Sequence, residues 1–368
     1  MKNVLITPLD WGLGHATRCI PIINELLKRN CNVIIGGCED SLALLKIEFP
    51  QLTFMLLPSY RPVYPLRGSM VWNMARQLPK FFSAIKKEHT AIEQIVKTSS
   101  IDLIISDNRY GCWSPSVPSV FITHQTNILL PRKFKWLTRL VRKLNISLIK
   151  KFSMCWIPDY PDERSLSGKL KSLGNKEQVI RVRHIGALSR FTQMKTREKV
   201  YDIACILSGP EPQRTRFEKI AAKELAASGL RYFIVRGLIS EQDNPPTTHD
   251  GANFLNTSDL QAVIEQSEYV LSRSGYSTIM DLAALGKKAI FVPTPGQTEQ
   301  EYLAARLRTK GIAFSVRQHE FEMKKAWDNA RSYTGFNQFP GDLHLLTEAL
   351  DEMLPAGVTQ EMQQQIQL

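Results

Sequence analysis

Two stretches of the chain combine residue types that do chemistry on a charged, hydroxyl-bearing substrate. The first is Gly12-Leu-Gly-His15, with Arg18 one helical turn further on. Two glycines permit a tight turn and the close approach of a ligand. An imidazole, with an unperturbed pKa near ~6.5, can take a proton from an attacking hydroxyl. The spacing is not G-x-G-x-x-G, so dinucleotide binding is not favoured. The second stretch is Ser272-Arg-Ser-Gly-Tyr-Ser-Thr278 with Asp281, followed by Gly286 to Pro293 and by Gln297 to Glu301. Small hydroxyl residues and a glycine at a helix start leave backbone N–H groups free for an anion. Taken singly, each stretch also reads as an ordinary turn, with a histidine bonded locally or a serine capping a helix. Their order and spacing within one chain favour a site.

The elements around them place both stretches at comparable positions. Tyr269 to Leu271 is an apolar run broken at Gly275; Ile279 to Leu285 reads as a helix capped by Ser277 or Thr278 and closed by Gly286; Ala289 to Val292 is a second buried strand, stopped by Pro293 and Pro295. Strands joined in this way run parallel, and their ligands bind beyond the carboxyl ends. The amino-terminal part repeats the pattern: a strand at Val4 to Thr7, a helix from Ala16 to Lys28, and strands at 33–35, 52–57, 103–106 and 119–123, with a long helix from Met70 to Lys97. Asp107, Arg109 and His124 fall at strand ends and are candidates for the acceptor side; charged turn residues in solvent would look the same. The polar stretch 192–200 reads as a linker. The alternation restarts at Tyr201 to Leu207, with a turn at Ser208-Gly209, Arg214 in the following helix, and strands at 232–235, 253–256 and 313–316. The expected fold is therefore α/β: two doubly wound, Rossmann-like parallel-sheet domains facing a cleft. The expected limits are 1–191 for the first domain and 201–340 for the second, with a final segment, 341–368, whose helix (342–353) crosses back onto the first.

The Ser272-Arg-Ser-Gly275, Thr278, Asp281 run, the Gly286 to Pro293 segment and the Gln297 to Glu301 loop together resemble the donor-binding core of GT-B glycosyltransferases of the family 28 type, which includes the lipid-linked peptidoglycan N-acetylglucosaminyltransferase. The Gly12-x-Gly-His15-x-x-Arg18 loop resembles the first glycine loop of the same superfamily and that of sugar-nucleotide hydrolases of the pseudaminate pathway. The Arg183 to Arg190 run resembles the domain junction of predicted glycosyltransferases of this kind, with Ala187 in place of a proline. The resemblance implies that Ser274, Gly275 and Thr278 cradle a nucleotide-sugar diphosphate, with Arg273 in the same motif. It implies that Asp281 holds the ribose, where relatives usually carry Glu, and that Gln300 contacts the sugar. Glu301 stands where the second Gln of a pair is usual. Ser208, Gly209 and Arg214 would face the phosphates, the base would lie near 254–257, and His15 would face the cleft beside Gly12, Gly14 and Arg18. The implied activity is metal-independent transfer, with inversion, from a nucleotide-diphosphate sugar of uridine type to a hydroxyl acceptor, with no cofactor. A sugar-nucleotide hydrolase or epimerase of the same fold, and a non-catalytic sugar-nucleotide or lipid-binding protein, are the alternatives.

Composition limits the rest. At 368 residues two domains are expected, and no apolar run approaches the ~18 residues of a membrane span. The amino terminus enters a strand directly rather than through a signal peptide. The six cysteines are scattered without a C-x-x-C pair, which argues for a reducing cytoplasm and against a zinc site. No Asp-x-Asp pair is present. The net charge of +12 points to acidic partners. Residues 128–152 carry Arg132, Lys133, Lys135, Arg139, Arg142, Lys143, Lys150 and Lys151, no acid, and an apolar stripe of Phe134, Leu137, Leu140, Val141, Leu144 and Leu148. Such a basic amphipathic segment suits the anionic inner face of a membrane, although a solvated basic face would read alike. Nucleic-acid binding is disfavoured because no helix-turn-helix, zinc or RNP-type motif accompanies the charge.

Overall fold

The computed structural model describes residues 1–60, 70–172, 180–191, 197–239, 250–337, 339 and 343–355. Most of the expected linker (192–196), Asp342 and the glutamine-rich tail lie outside the described residues.

Among the described residues the strands β1 (Asn3–Pro8), β2 (Asn32–Gly37), β3 (Thr53–Leu56), β4 (Leu103–Asp107), β5 (Ser119–Ile122), β6 (Met154–Ile157) and β7 (Val182–His184) form one parallel sheet in the order β3-β2-β1-β4-β5-β6-β7. β8 (Tyr201–Ile206), β9 (Tyr232–Val235), β10 (Gly251–Ala252), β11 (Ser267–Ser272), β12 (Lys288–Phe291) and β13 (Phe314–Ser315) form a second, in the order β10-β9-β8-β11-β12-β13. The central strands are apolar throughout, as Val4-Leu5-Ile6 and Val270-Leu271 show. Helices cover both faces, so residues of either parity are buried: all five of these side chains have no exposure. Each sheet reverses its strand order once, between β1 and β4 and between β8 and β11. These are the points where open α/β sheets leave a crevice at their carboxyl edge. The first crevice receives the loop before the helix Leu13–Lys28; the second receives the loop before the helix Tyr276–Ala284.

The structure corrects several local expectations. Residues 253–256 are not a strand: β10 ends at Ala252, and the Asn256 side chain accepts from the Asp259 N–H to cap the helix Thr257–Glu265. Neither Ser277 nor Thr278 caps the helix Tyr276–Ala284; Gly275 is its N-cap, and both hydroxyl residues lie in its first turn. That helix closes as expected, with Gly286 just beyond it at φ 60°. The basic segment is a 3-10 turn over Arg132–Leu137 followed by the helix Thr138–Ile149. Its Asn145, Ile146 and Ile149 are buried, while Trp136, Leu140 and Leu144 are exposed.

The halves touch along their facing edges. Tyr276 Oη donates to the Pro158 carbonyl at 2.8 Å, Thr298 Oγ1 to the Leu129 carbonyl at 2.9 Å, and the Lys169 N–H to Tyr302 Oη at 2.8 Å. On the far side, Thr257 binds Glu48 through both its N–H and its hydroxyl. The helix His344–Met353 packs on the first half, where Arg29 pairs with Asp351 at 3.0 Å and Arg183 with Glu348 at 2.8 Å. Among the described residues no helix is long and apolar enough to cross a membrane.

Candidate active site

β1 delivers the glycine loop to the first crevice. Gly12 there adopts φ 96°, a left-handed conformation that a side chain would strain. The chain then enters the helix Leu13–Lys28, whose first two turns carry His15 and Arg18 inward. Asp107, the last residue of β4, meets them. His15 Nδ1 lies 3.1 Å from Asp107 Oδ2, and Arg18 Nε donates to both carboxylate oxygens at 2.8 and 2.7 Å, with a further close contact from Arg18 Nη2 to Oδ1. Asp107 is fully buried and Arg18 nearly so. Burial opposes the Asp107 charge, but Arg18 and then His15 outweigh it and hold the carboxyl below the usual range. Burial and then Arg18 press the His15 imidazole below its ordinary value, and Asp107 restores only part of the loss.

The tautomer of His15 follows from this geometry. Its Nδ1 is also 3.0 Å from Arg18 Nη2, and one ring nitrogen cannot both donate to Asp107 and accept from Arg18. Arg18 Nη2 can give its proton to Asp107, whereas a lone pair on Nδ1 would oppose the ionised Oδ2 at 3.1 Å, so the proton is assigned to Nδ1. Nε2 is then a bare lone pair, with no hydrogen bond among the described residues. His124, just past β5, extends the cluster: its Nδ1 is 3.3 Å from Arg18 Nη1, its ring stacks on Tyr276 at 4.2 Å, and its Nε2 is 2.7 Å from Glu299 Oε1 of the second half. Gln125 Nε2 donates to the other Glu299 oxygen.

The structure thus brings Gly12, Gly14, His15, Arg18, Asp107 and His124 together. Arg109 does not join them: that side chain is wholly buried, paired with Glu88 at 2.7 Å and donating to the Pro8 and Pro58 carbonyls.

In the second crevice the backbone of Gly275 is open: a Cβ there would meet nothing closer than Thr278 Oγ1 at 3.9 Å. Gly209 opens the neighbouring edge, and Ser208 beside it is only partly buried. Several expected donor contacts are otherwise engaged. Arg273 is buried over the Phe217 ring at 4.2 Å and donates to the Val292, Pro293 and Gln213 carbonyls and to Gln318 Oε1; burial lowers its pKa to about 10. It locks β11 to its neighbours and does not reach the crevice. Arg214 pairs with Glu211 at 2.6 Å and Glu218 at 2.7 Å, which neutralise it without a phosphate. Ser274 spends its hydroxyl on the Gln300 carbonyl at 2.9 Å. Gln300 in turn accepts the Thr294 N–H through Oε1, so its side chain shapes the loop. Glu301 caps the Gly296 N–H at 2.9 Å and lines a separate groove with Ala305, Arg308 and Gln318. Asp281 accepts from Ser189 Oγ at 2.9 Å and from the Arg190 N–H at 3.3 Å, and its pKa is raised, chiefly by burial.

Sequence reasoning missed Glu299, Gln125 and Tyr276, and noted Ser189 and Arg190 only as a junction. Arg190 Nε is buried and lies 3.6 Å from Asp281 Oδ2, an ion pair beyond hydrogen-bond length. Glu299 precedes Gln300 in the loop already singled out, but its partner His124 is 175 residues away and no local pattern points to it.

Residues 230–329 match the glycosyltransferase family 28 C-terminal domain. The chain is 24% identical to an uncharacterized glycosyltransferase of Methanosarcina acetivorans over 331 residues, 84% of each protein. It is 38% identical over 102 residues to the UDP-N-acetylglucosamine--N-acetylmuramyl-(pentapeptide) pyrophosphoryl-undecaprenol N-acetylglucosamine transferase of Methylobacterium radiotolerans, a match covering 27% of this chain and 26% of that enzyme. Among solved structures, the glycotransferase of kitacinnamycin superposes with a TM-score of 0.65 at 15% identity, covering 96% of this chain and 99% of that one. The Streptomyces sp. SF2575 glycosyltransferase SsfS6, complexed with thymidine diphosphate, superposes with 0.61 at 11% identity, covering 96% and 100%. With two parallel-sheet halves, a family 28 domain in the second and glycosyltransferases as its relatives, the chain is a glycosyltransferase of the GT-B fold.

Proposed function

We propose that the second half holds a nucleotide-diphosphate sugar and the first half presents an acceptor hydroxyl to it, with His15 as the general base. The observation that carries this reading is the His15–Asp107 pair: a buried carboxylate fixes the imidazole with a bare Nε2, in the crevice that faces the helix start at Gly275. Nε2 takes the acceptor proton, and the acceptor oxygen attacks the anomeric carbon as the bond to the diphosphate breaks, which inverts that centre. The open N–H groups before the helix Tyr276–Ala284, Thr278 in its first turn and the guanidinium of Arg190 beside Asp281 suit the charge gathering on the leaving diphosphate. Ser208 and Gly209 lie at the same edge. Asp281 would take the ribose hydroxyls by exchanging its bond to Ser189.

The M. radiotolerans relative is named for transfer from a UDP-sugar to an undecaprenol-linked acceptor, and SsfS6 binds a pyrimidine diphosphate, so a uridine-type donor is the first to try. A lipid-linked acceptor accords with the basic segment 132–151. Its Trp136, Leu140 and Leu144 are 77%, 63% and 38% exposed, at helical spacing among cations, which suits an anionic bilayer surface. The test incubates purified protein with UDP-, dTDP- and GDP-sugars and follows thermal shift and nucleoside-diphosphate release. Binding with acceptor-dependent release supports the transferase. Rapid release of free sugar without acceptor would make it a hydrolase, and absence of both binding and release would end the proposal.

A further inference from the structure

The polar groups between His15 and Glu299 form one chain that crosses the cleft, with a carboxylate facing an imidazole nitrogen at each end. Glu299, in the first turn of the helix Thr298–Thr309, faces His124 Nε2 at 2.7 Å. A carboxylate accepts only, so His124 Nε2 carries a proton. In the neutral ring its Nδ1 is then an acceptor, which is what Arg18 Nη1 needs at 3.3 Å. Arg18 Nε and Nη2 donate to Asp107, Nη2 also lying 3.0 Å from His15 Nδ1, and Asp107 accepts from His15 Nδ1. Reversing the His124 tautomer would set an N–H against the Arg18 N–H and leave Glu299 facing a lone pair. The groups facing His124 are Glu299, Gln125, Arg18 and the Tyr276 ring; Glu299 is the acid among them that comes from the second half. Gln300, next to Glu299, is bonded through its carbonyl to Ser274 of the donor motif.

We infer that Glu299 is a positioning residue: a carboxylate supplied by the donor half that sets the His124 tautomer and, through Arg18 and Asp107, holds His15 with Nε2 bare. The acceptor-side base is therefore fully set only when the two halves are closed. This rests on the proposed role of His15, but its principal test does not require turnover.

Long-range nitrogen–proton NMR spectra of histidine-labelled protein distinguish the two neutral tautomers, and the chain has seven histidines to assign. In wild type His124 is expected as Nε2–H and His15 as Nδ1–H. Glu299→Ala is expected to give mixed tautomers at both rings, and Glu299→Gln, which keeps an acceptor oxygen, to retain the wild-type pattern. His124→Phe keeps the stacking on Tyr276 but removes both nitrogens, and is expected to disturb His15 alike; it decides the matter should Glu299→Ala fold poorly. Where nucleoside-diphosphate release is measurable, Glu299→Ala is expected to lower kcat on the order of tenfold, about the worth of one charge-assisted hydrogen bond, with donor KM little changed. Unaltered tautomers at His15 and His124 in a folded Glu299→Ala protein would overturn the inference. So would a raised donor KM at unchanged kcat, which would make Glu299 a donor contact. Failure of wild type to bind or turn over any nucleotide sugar would instead remove the proposed function, and the tautomers would still decide this point.

Discussion

Ser277 Oγ donates to the carbonyl oxygen of Gly14 at 2.8 Å, so the helix start of the second half rests directly on the glycine loop of the first. A Cβ on Gly14 would come to 3.0 Å from Ser277 Oγ and 3.3 Å from the Ser277 Cβ. Gly14→Ala is therefore expected to hold the halves a few tenths of an ångström apart, at a cost of about 1–3 kcal/mol. Turnover should fall while the nucleoside diphosphate still binds. Adding Ser277→Ala removes the nearer atom and should recover part of the loss in a double-mutant cycle of kcat/KM.

Asp107→Asn removes the acceptor that fixes His15 and leaves Arg18 buried without its counter-charge. Breaking such a pair costs ~3–5 kcal/mol of stability, to be read from urea unfolding. Because an amide can present either an oxygen or an N–H to Nδ1, the tautomer is no longer enforced, and a rate loss on the order of 10³–10⁴ is expected. A variant that kept full activity would remove Asp107 from the mechanism.

The pH dependence has a definite sign. Burial and Arg18 lower the His15 pKa, so the base stays neutral and active to below the ordinary imidazole range. The acid limb of kcat/KM should lie below pH ~6.5. Arg18→Met should move it upward. The stability side runs the same way: a folded-state pKa depressed below the unfolded one means the unfolded chain binds more protons. The His15 contribution to stability is then present above pH ~6.5 and declines as pH falls through the folded value.

Arg109 and Glu88 should prove to matter for stability and not for catalysis. Arg109→Met strands Glu88, which is fully buried and also bonded to Tyr60, and should cost roughly 3–5 kcal/mol. Nucleotide affinity of the folded fraction should stay at the wild-type value by titration calorimetry.

The exposed row on the basic segment gives a prediction independent of the chemistry. Trp136→Glu with Leu140→Glu should abolish sedimentation with vesicles containing phosphatidylglycerol and leave the melting temperature within a few degrees, since neither side chain is packed in the core. Equal sedimentation of the variant would exclude this face as the contact.

The amino-acid sequence by itself determined the two sheets and the positions of both loops. Buried parallel strands are short apolar runs, and the glycines and prolines that end them are local features, so Val4 to Thr7 and Ala289 to Val292 were legible within a residue or two. It also determined that His15, Arg18, Asp107 and His124 stand at carboxyl edges, because edge position follows from strand order alone. Which arginine does what was decided only by the tertiary structure. Arg18, Arg109, Arg214 and Arg273 look alike as residues near loops, yet Arg18 meets Asp107 and both imidazoles, while the other three are saturated by Glu88, by Glu211 and Glu218, or by backbone carbonyls. The pairing of Glu299 with His124 was invisible for the same reason: a hydrogen bond forms where two domains bring their edges together, and the sequence on either side of it carries only the local rules of its own helix or strand.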